Sequence, residues 1–158
     1  MNYFQTFGIN VGHGKYHEEV VYSIALAFNL LNNEMTAYLK DFSLTPAQFN
    51  VLMILKFQVQ EGGTSQVEIS QRLIVTASNI TRLLDKMEIE KLIERSSQEG
   101  DRRVKLIRIT EKGIKLLDAV YPGYAQLLAN LTQGLNSDDQ RNVSEKLVKL
   151  VNNLAEER

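Results

Sequence analysis

Residues 65–91 read SQVEISQRLIVTASNITRLLDKMEIEK, and this stretch decides the fold. Ser65-Gln66-Val67-Glu68 places serine at a helix cap and glutamate three residues later, a pair in which each side chain bonds the other residue's amide N–H. It opens a short helix, Gln66–Leu73, with Val67, Ile69/Ser70 and Leu73 inward. Ile74-Val75 makes a tight connection, and Thr76 caps a further helix, Ala77–Glu90. Ile80, Leu83, Leu84 and Met87 recur there at helical spacing, leaving Ser78, Asn79, Thr81 and Arg82 on the opposite, outward face. Two short helices joined by so brief a turn form a helix-turn-helix.

Beyond that unit the period changes. Leu92–Arg95 reads as a strand, Ser96–Arg103 as a long charged loop, and Val104–Ile109 as a second strand with Ile107 and Ile109 on one face, giving a β-hairpin. Thr110-Glu111-Lys112-Gly113 restarts a helix in which Ile114, Leu117, Tyr121, Tyr124, Leu128 and Leu131 keep helical spacing, and Pro122-Gly123 predicts a kink. The last helix, Asp138–Glu156, follows Asn136-Ser137 and carries the stripe Val143, Leu147, Leu150, Leu154.

On the N-terminal side, Thr45-Pro46 starts a helix that runs to about Gln60 and ends before Gly62-Gly63. A long helix, Tyr16–Lys40, precedes it, with Val20, Val21, Ile24, Ala25, Phe28, Leu31, Met35 and Tyr38/Leu39 as its apolar face. The expected order is α-α-α-α-β-β-α-α, with room for one extra short strand near Gly63-Thr64. The fold class is mostly α with a small β-hairpin wing: a winged helix-turn-helix carrying long N- and C-terminal helices. The expected organisation is a single domain, 1–158, with flanking helices at 16–44 and 111–157 and a central lobe at 45–110.

The 158 residues are 44% hydrophobic and 23% charged, near the averages for globular proteins, and include no cysteine. Disulfides, thiolate metal sites and thiol redox sensing are therefore excluded. Met1–Gly14 lacks the basic and apolar regions of a signal peptide, and no apolar run approaches the ~18 residues of a membrane span. A cytoplasmic setting is expected, with no membrane partner. The net charge of −1 is unevenly placed: residues 70–108 hold nine basic and six acidic groups, and the remainder nine basic and thirteen acidic. A basic middle on an acidic body suggests a local anion-binding face.

Leu44-Thr45-Pro46-Ala47-Gln48-Phe49, the segment Thr76–Glu88, Leu92-Ile93-Glu94-Arg95 running into Gly100-Asp101-Arg102-Arg103, and Ile107–Gly113 stand in an order and spacing that resembles the MarR family of bacterial regulators, over about residues 16–157. The resemblance implies a homodimer joined through the terminal helices (16–44 and 111–157), with one DNA-binding lobe (45–110) per protomer. Physical reasons point the same way. A helix such as Tyr16–Lys40 spans roughly 36 Å, more than a small core covers, and the heptad-like stripe of the last helix calls for a partner.

The implied function is a sequence-specific DNA-binding transcription regulator, a ligand-responsive repressor that binds a pseudo-palindromic operator of double-stranded DNA. The alternative is a winged-helix protein-interaction module without DNA binding. In the DNA reading, Ser78, Asn79, Thr81 and Arg82 meet base edges in the major groove, where arginine forks onto guanine and asparagine onto adenine. Ser65 and Thr76, at helix starts, suit phosphate as well as capping. The resemblance assigns an Asp101–Arg103 ion pair to the wing and sends Arg102 into the minor groove. Arg95, Lys105 and Arg108 add expected phosphate contacts.

The resemblance also implies a cleft for a small aromatic effector, for which Tyr38, Phe42, Phe49, Met53 and Tyr121 are the candidates, core packing being the competing role. Lys91 stands where the family commonly has glycine, so either it accepts a positive φ or the helix ends differently. His13 and His17 have i, i+4 spacing, but the glycines around His13 argue against a helical metal site. No nucleophile–base constellation is present in the sequence, so no catalysis, metal or cofactor is expected.

Overall fold

A computed structural model of the chain describes residues 3–9, 11–59, 62–74, 79–98 and 101–156, with backbone alone at 98 and 101–104. After a 3-10 helix, Tyr3–Phe7, come α1 (Tyr16–Lys40), α2 (Pro46–Phe57), β1 (Thr64–Ser65), α3 (Gln66–Arg72), α4 (Ile80–Ile89), β2 (Ile93–Gln98), β3 (Asp101–Ile109), α5 (Glu111–Leu131) and α6 (Ser137–Glu156). The expected order holds, including the extra short strand. None of the described helices is long and apolar enough to cross a membrane. The chain divides into two compact units, Met1–Ala119 and Val120–Arg158.

In the first unit the core is Leu39, Leu44, Phe49, Val51, Leu52, Ile54, Leu55, Ile69, Leu84, Met87, Leu92, Ile93, Ile107 and Leu117, all buried. The helical spacing of Leu84 and Met87, and the inward Ile107, are as the sequence predicts. Val67, expected inward, is 65% exposed, while Ile69 alone of α3 is buried. The helix ends one residue early because Leu73 takes an extended conformation, φ −67° and ψ 121°. α2 likewise stops at Phe57, short of Gln60. At its start the Thr45 hydroxyl accepts the Gln48 amide N–H, and Gln48 Oε1 accepts that of Thr45.

Two expectations around the helix-turn-helix are corrected. The second helix begins at Ile80, not Ala77. Asn79 has non-helical angles, φ −147° and ψ 89°, and its Oδ1 accepts the Arg82 amide N–H at 3.0 Å. Asparagine competes well with threonine for a cap, so Asn79 closes the helix start instead of lying on its outward face. Thr76, the expected cap, lies with Ala77 and Ser78 outside the described residues.

The second correction concerns the wing. The expected long loop Ser96–Arg103 is largely strand, since β2 extends to Gln98 and β3 begins at Asp101. Backbone pairing absorbs the polar residues: Ser96 lies opposite Leu106, Ser97 opposite Lys105 and Gln98 opposite Asp101. The register shifts between Ser97 and Gln98, so residues 102–104 have no opposite number on β2. β1 flanks β3 on its other side, Thr64 opposite Ile107.

Lys91 accepts the positive φ, at 59°. Its N–H donates to Glu88 O at 2.9 Å, and that of Leu92 to Met87 O at 2.9 Å, a helix stop that normally takes glycine. Thr110 bonds to this corner. Its amide donates to Leu92 O and its hydroxyl to Lys91 O, while the same hydroxyl accepts the Gly113 amide N–H and so caps α5. Lys91→Gly should therefore stabilise the protein by about 1 kcal/mol, by relieving the left-handed strain of a Cβ. A raised urea midpoint with unchanged slope is the expected reading.

α5 runs through Pro122 as helix. In the second unit Asn136 Oδ1 accepts the amide N–H of Asp138 and of Asp139, starting α6. No residue of α6 is buried. Val143, Leu147, Val148, Val151 and Leu154 are exposed, and with Thr132 and Leu135 several of them line a hollow of about 540 Å³. α1 shows the same feature: only Leu39 is buried, while Val20, Val21, Ile24, Phe28 and Leu31 stand in water.

Candidate nucleic-acid interface

The exposed N-terminal half of α4 presents Thr81 and Arg82, two and three residues past the Asn79 cap. Gln66, at the first turn of α3, donates from Nε2 to Thr81 Oγ1 at 2.9 Å, fixing the two helices at this surface. Gln66 was not singled out from the sequence; its position just after a cap was the available signal.

Ser65 caps α3, accepting the Glu68 amide at 3.2 Å, and Glu68 Oε2 accepts the Ser65 amide at 3.1 Å. The Thr64 hydroxyl also donates to that oxygen. This bond, followed by those from Ser65, holds the Glu68 carboxyl below the usual carboxylate range. The capping role of Ser65 is thus filled. The turn after α3 is held by Asn50, whose Oδ1 accepts the Ile74 amide at 2.8 Å. Arg72 Nη1 donates to Gln58 O at 3.0 Å, tying α3 to the end of α2.

The basic residues of the hairpin fall into two groups. Lys105 is exposed, with Nζ 2.8 Å from Ser97 Oγ. The backbone of Asp101, Arg102 and Arg103 lies in the irregular stretch of β3, and their side chains, including the expected Asp101–Arg103 pair, lie outside the described residues. Arg95 and Arg108 are engaged within the fold. Arg95 Nη1 reaches Asp85 Oδ1 at 2.6 Å and Glu88 Oε2 at 2.8 Å. Arg108 donates to Gly62 O at 3.1 Å and to Ser96 Oγ at 3.2 Å.

At the far end of α4, Gln48, buried at the start of α2, donates from Nε2 to Glu90 Oε2 at 2.9 Å. Lys112 Nζ donates to Glu90 O at 2.8 Å. α4 is therefore fixed in its first turn, at its middle and at its end, by side chains from α3, β2, α2 and α5.

The expected effector-cleft residues are dispersed. Tyr38 and Phe42 pack ring to ring, with centroids 5.4 Å apart, and both are half-buried. Phe49 belongs to the core and Met53 is half-buried. Tyr121 lies in the second unit, 6.2 Å from Tyr124, whose hydroxyl burial pushes up from its ordinary value. At the N-terminus, Gly12 and Gly14 have positive φ and α1 starts only at Tyr16, so His13 lies outside any helix, as its glycines suggest.

The family model described as MarR family matches residues 44–105. An HTH-type transcriptional regulator of Bacillus cereus is 31% identical over 123 residues, covering 77% of this chain and 78% of that protein. The chain belongs to the MarR family. It is also similar to the HTH-type transcriptional regulator MhqR of Bacillus subtilis, 28% identical over 127 residues, which cover 80% of this chain and 86% of MhqR. Among solved structures, S. aureus MepR in complex with DNA aligns at a TM-score of 0.75 and 26% identity, over 84% of this chain and 96% of MepR. As a MarR-family member the chain is a transcription regulator and not an enzyme. The MarR match spans α2, the helix-turn-helix and most of the wing, which with α5 are the elements that hold α4.

Proposed function

We propose that this MarR-family regulator binds double-stranded DNA as a homodimer and acts as a ligand-responsive repressor on a pseudo-palindromic operator. The exposed Thr81–Arg82 end of α4, fixed beside a wing whose residues 102–104 break the strand register, carries the reading. α4 enters the major groove by that end. Arg102 enters the flanking minor groove, where a guanidinium reads width and potential, and the Asp101–Arg103 pair shapes the loop. Asn79, the cap of α4, and with it Thr76 and Ser78 are further proposed contacts to the duplex. Arg103 and Lys105 add phosphate contacts, and Ser65 offers a helix start to a phosphate without losing its cap. Pairing through α1 and through α6 is supported by the apolar side chains each leaves exposed, since such faces mark interaction surfaces. The domain division is a DNA-binding lobe at 45–110 and pairing helices at 16–44 and 111–157.

A small aromatic effector acts by favouring one spacing of the two α4 helices over another. Tyr38 and Phe42, already in tilted ring contact, together with Phe49 and Met53, are its proposed contacts. The repressor is cytoplasmic, where its DNA is.

The test is binding to the duplex upstream of its own gene, measured by anisotropy across a salt series. Affinity should fall steeply, with log K dropping ~0.9 per log unit of salt for each phosphate contact. Arg102→Ala should weaken binding by about 1–3 kcal/mol without lowering the melting temperature. Wild-type affinity in that variant removes the wing from the mechanism.

A further inference from the structure

We propose that Arg95 is a positioning residue for DNA binding, clamping the root of the wing to the middle of α4. The inference rests on the DNA-binding reading above and changes the role of one of its residues. Arg95 stands on β2 opposite Ile107, the buried residue of β3. From there its Nη1 lies 2.6 Å from Asp85 Oδ1 and 2.8 Å from Glu88 Oε2, two carboxylates one helical turn apart on α4. The two N–H groups of one guanidinium nitrogen match two acceptors, and charge-assisted bonds of this length are the strong kind. The Arg95 side chain is only 20% exposed. A cation so placed has little of itself to offer a phosphate, unlike the exposed Arg82 and Lys105.

Two consequences follow for recognition. First, α4 and the hairpin are the elements that enter neighbouring grooves, and a duplex accepts both only at one relative placement. The Arg95 bridge joins them at the point where the hairpin leaves the core, so it fixes the direction of the strand that leads to Arg102. Second, Asp85 and Glu88 lie on the same helix as Thr81 and Arg82. Their charges face Arg95 instead of adding an uncompensated repulsion toward DNA phosphates. A lysine at position 95 carries the charge but not the planar fork, so Arg95→Lys retains the function in part.

The experiment uses the full chain and compares the upstream duplex with an unrelated one. For Arg95→Gln the upstream affinity should fall about tenfold, within the range of coupled neighbouring side chains, and the ratio over unrelated DNA should fall with it. The slope of log K against log salt should stay as in the wild type. Removing Arg102 in that background should cost less than in the wild type, because a wing already out of register has less to lose. Asp85→Asn/Glu88→Gln, which keeps Arg95, should lower the same ratio, and it serves if Arg95→Gln does not fold. A slope reduced by ~0.9 in Arg95→Gln marks an ordinary phosphate contact and overturns the proposal, as do strictly additive effects with Arg102→Ala. A wild-type chain that binds no duplex overturns the DNA reading itself, and this inference with it.

Discussion

Gly113→Ala is expected to destabilise the protein by about 3 kcal/mol, at the upper end of the cost of overpacking. Gly113 sits in the first turn of α5, where alanine ordinarily favours a helix by roughly 1 kcal/mol. Here the added Cβ would stand 2.3 Å from Leu92 O and 2.8 Å from Ile109 Cγ1. Leu92 O cannot yield, because it accepts the Thr110 amide at 3.1 Å in the same corner that closes α4. Either α5 moves off the wing or the α4 stop opens, and both lose buried contacts. The melting temperature should fall by roughly 10 °C. Gly62→Ala is the control: its φ is ordinary and a Cβ meets nothing within 4 Å, so it should be close to neutral. An unchanged melting temperature for Gly113→Ala would mean that the α4–β2–α5 corner is looser than described.

The second large effect should come from Leu147→Glu. Leu147 is 40% exposed on α6, amid Val143, Val148 and Val151, and lines the apolar hollow of that unit. In a lone chain a glutamate there touches water and costs little. In a dimer that closes over this face it buries an unpaired carboxylate, which costs far more than the apolar contact it replaces. The variant should remain folded yet sediment as a monomer. DNA affinity should fall 10²–10⁴-fold, the avidity lost when two linked half-site contacts become one. A variant that stays dimeric, or a monomer that binds as well as the wild type, contradicts the pairing assigned to α6.

Much of this architecture was readable from residue pattern alone, and the exceptions have physical causes. Helix starts are legible wherever one strong signal stands alone, as at Ser65 with Glu68 three residues on and at Thr45 with Pro46 behind it. Where two capping residues lay three apart, Thr76 and Asn79, the sequence favoured the first and the helix begins after the second. Local spacing carries no information about which cap the tertiary contacts of α4 select. The wing departs from its expected loop for a related reason. Ser96, Ser97 and Gln98 lack the apolar alternation that betrays a strand, because neighbouring backbone, not a core face, holds them. Arg95 and Lys105 looked alike in sequence. Only the fold separates them, since the partners of Arg95 lie seven and ten residues away on another element. Lys91 is the instructive success: its identity posed two alternatives, and a φ of 59° chose between them.

The central claim is that pairing presents two α4 helices to successive turns of one duplex. Footprinting the upstream DNA and then inserting about five base pairs, half a helical turn, between the protected half-sites tests it most directly. The account predicts two chains per duplex on the native spacing and a loss of affinity of at least about a hundredfold after the insertion, because one α4 then faces the wrong side of the helix. A single chain per duplex, or equal affinity for both spacings, would contradict it.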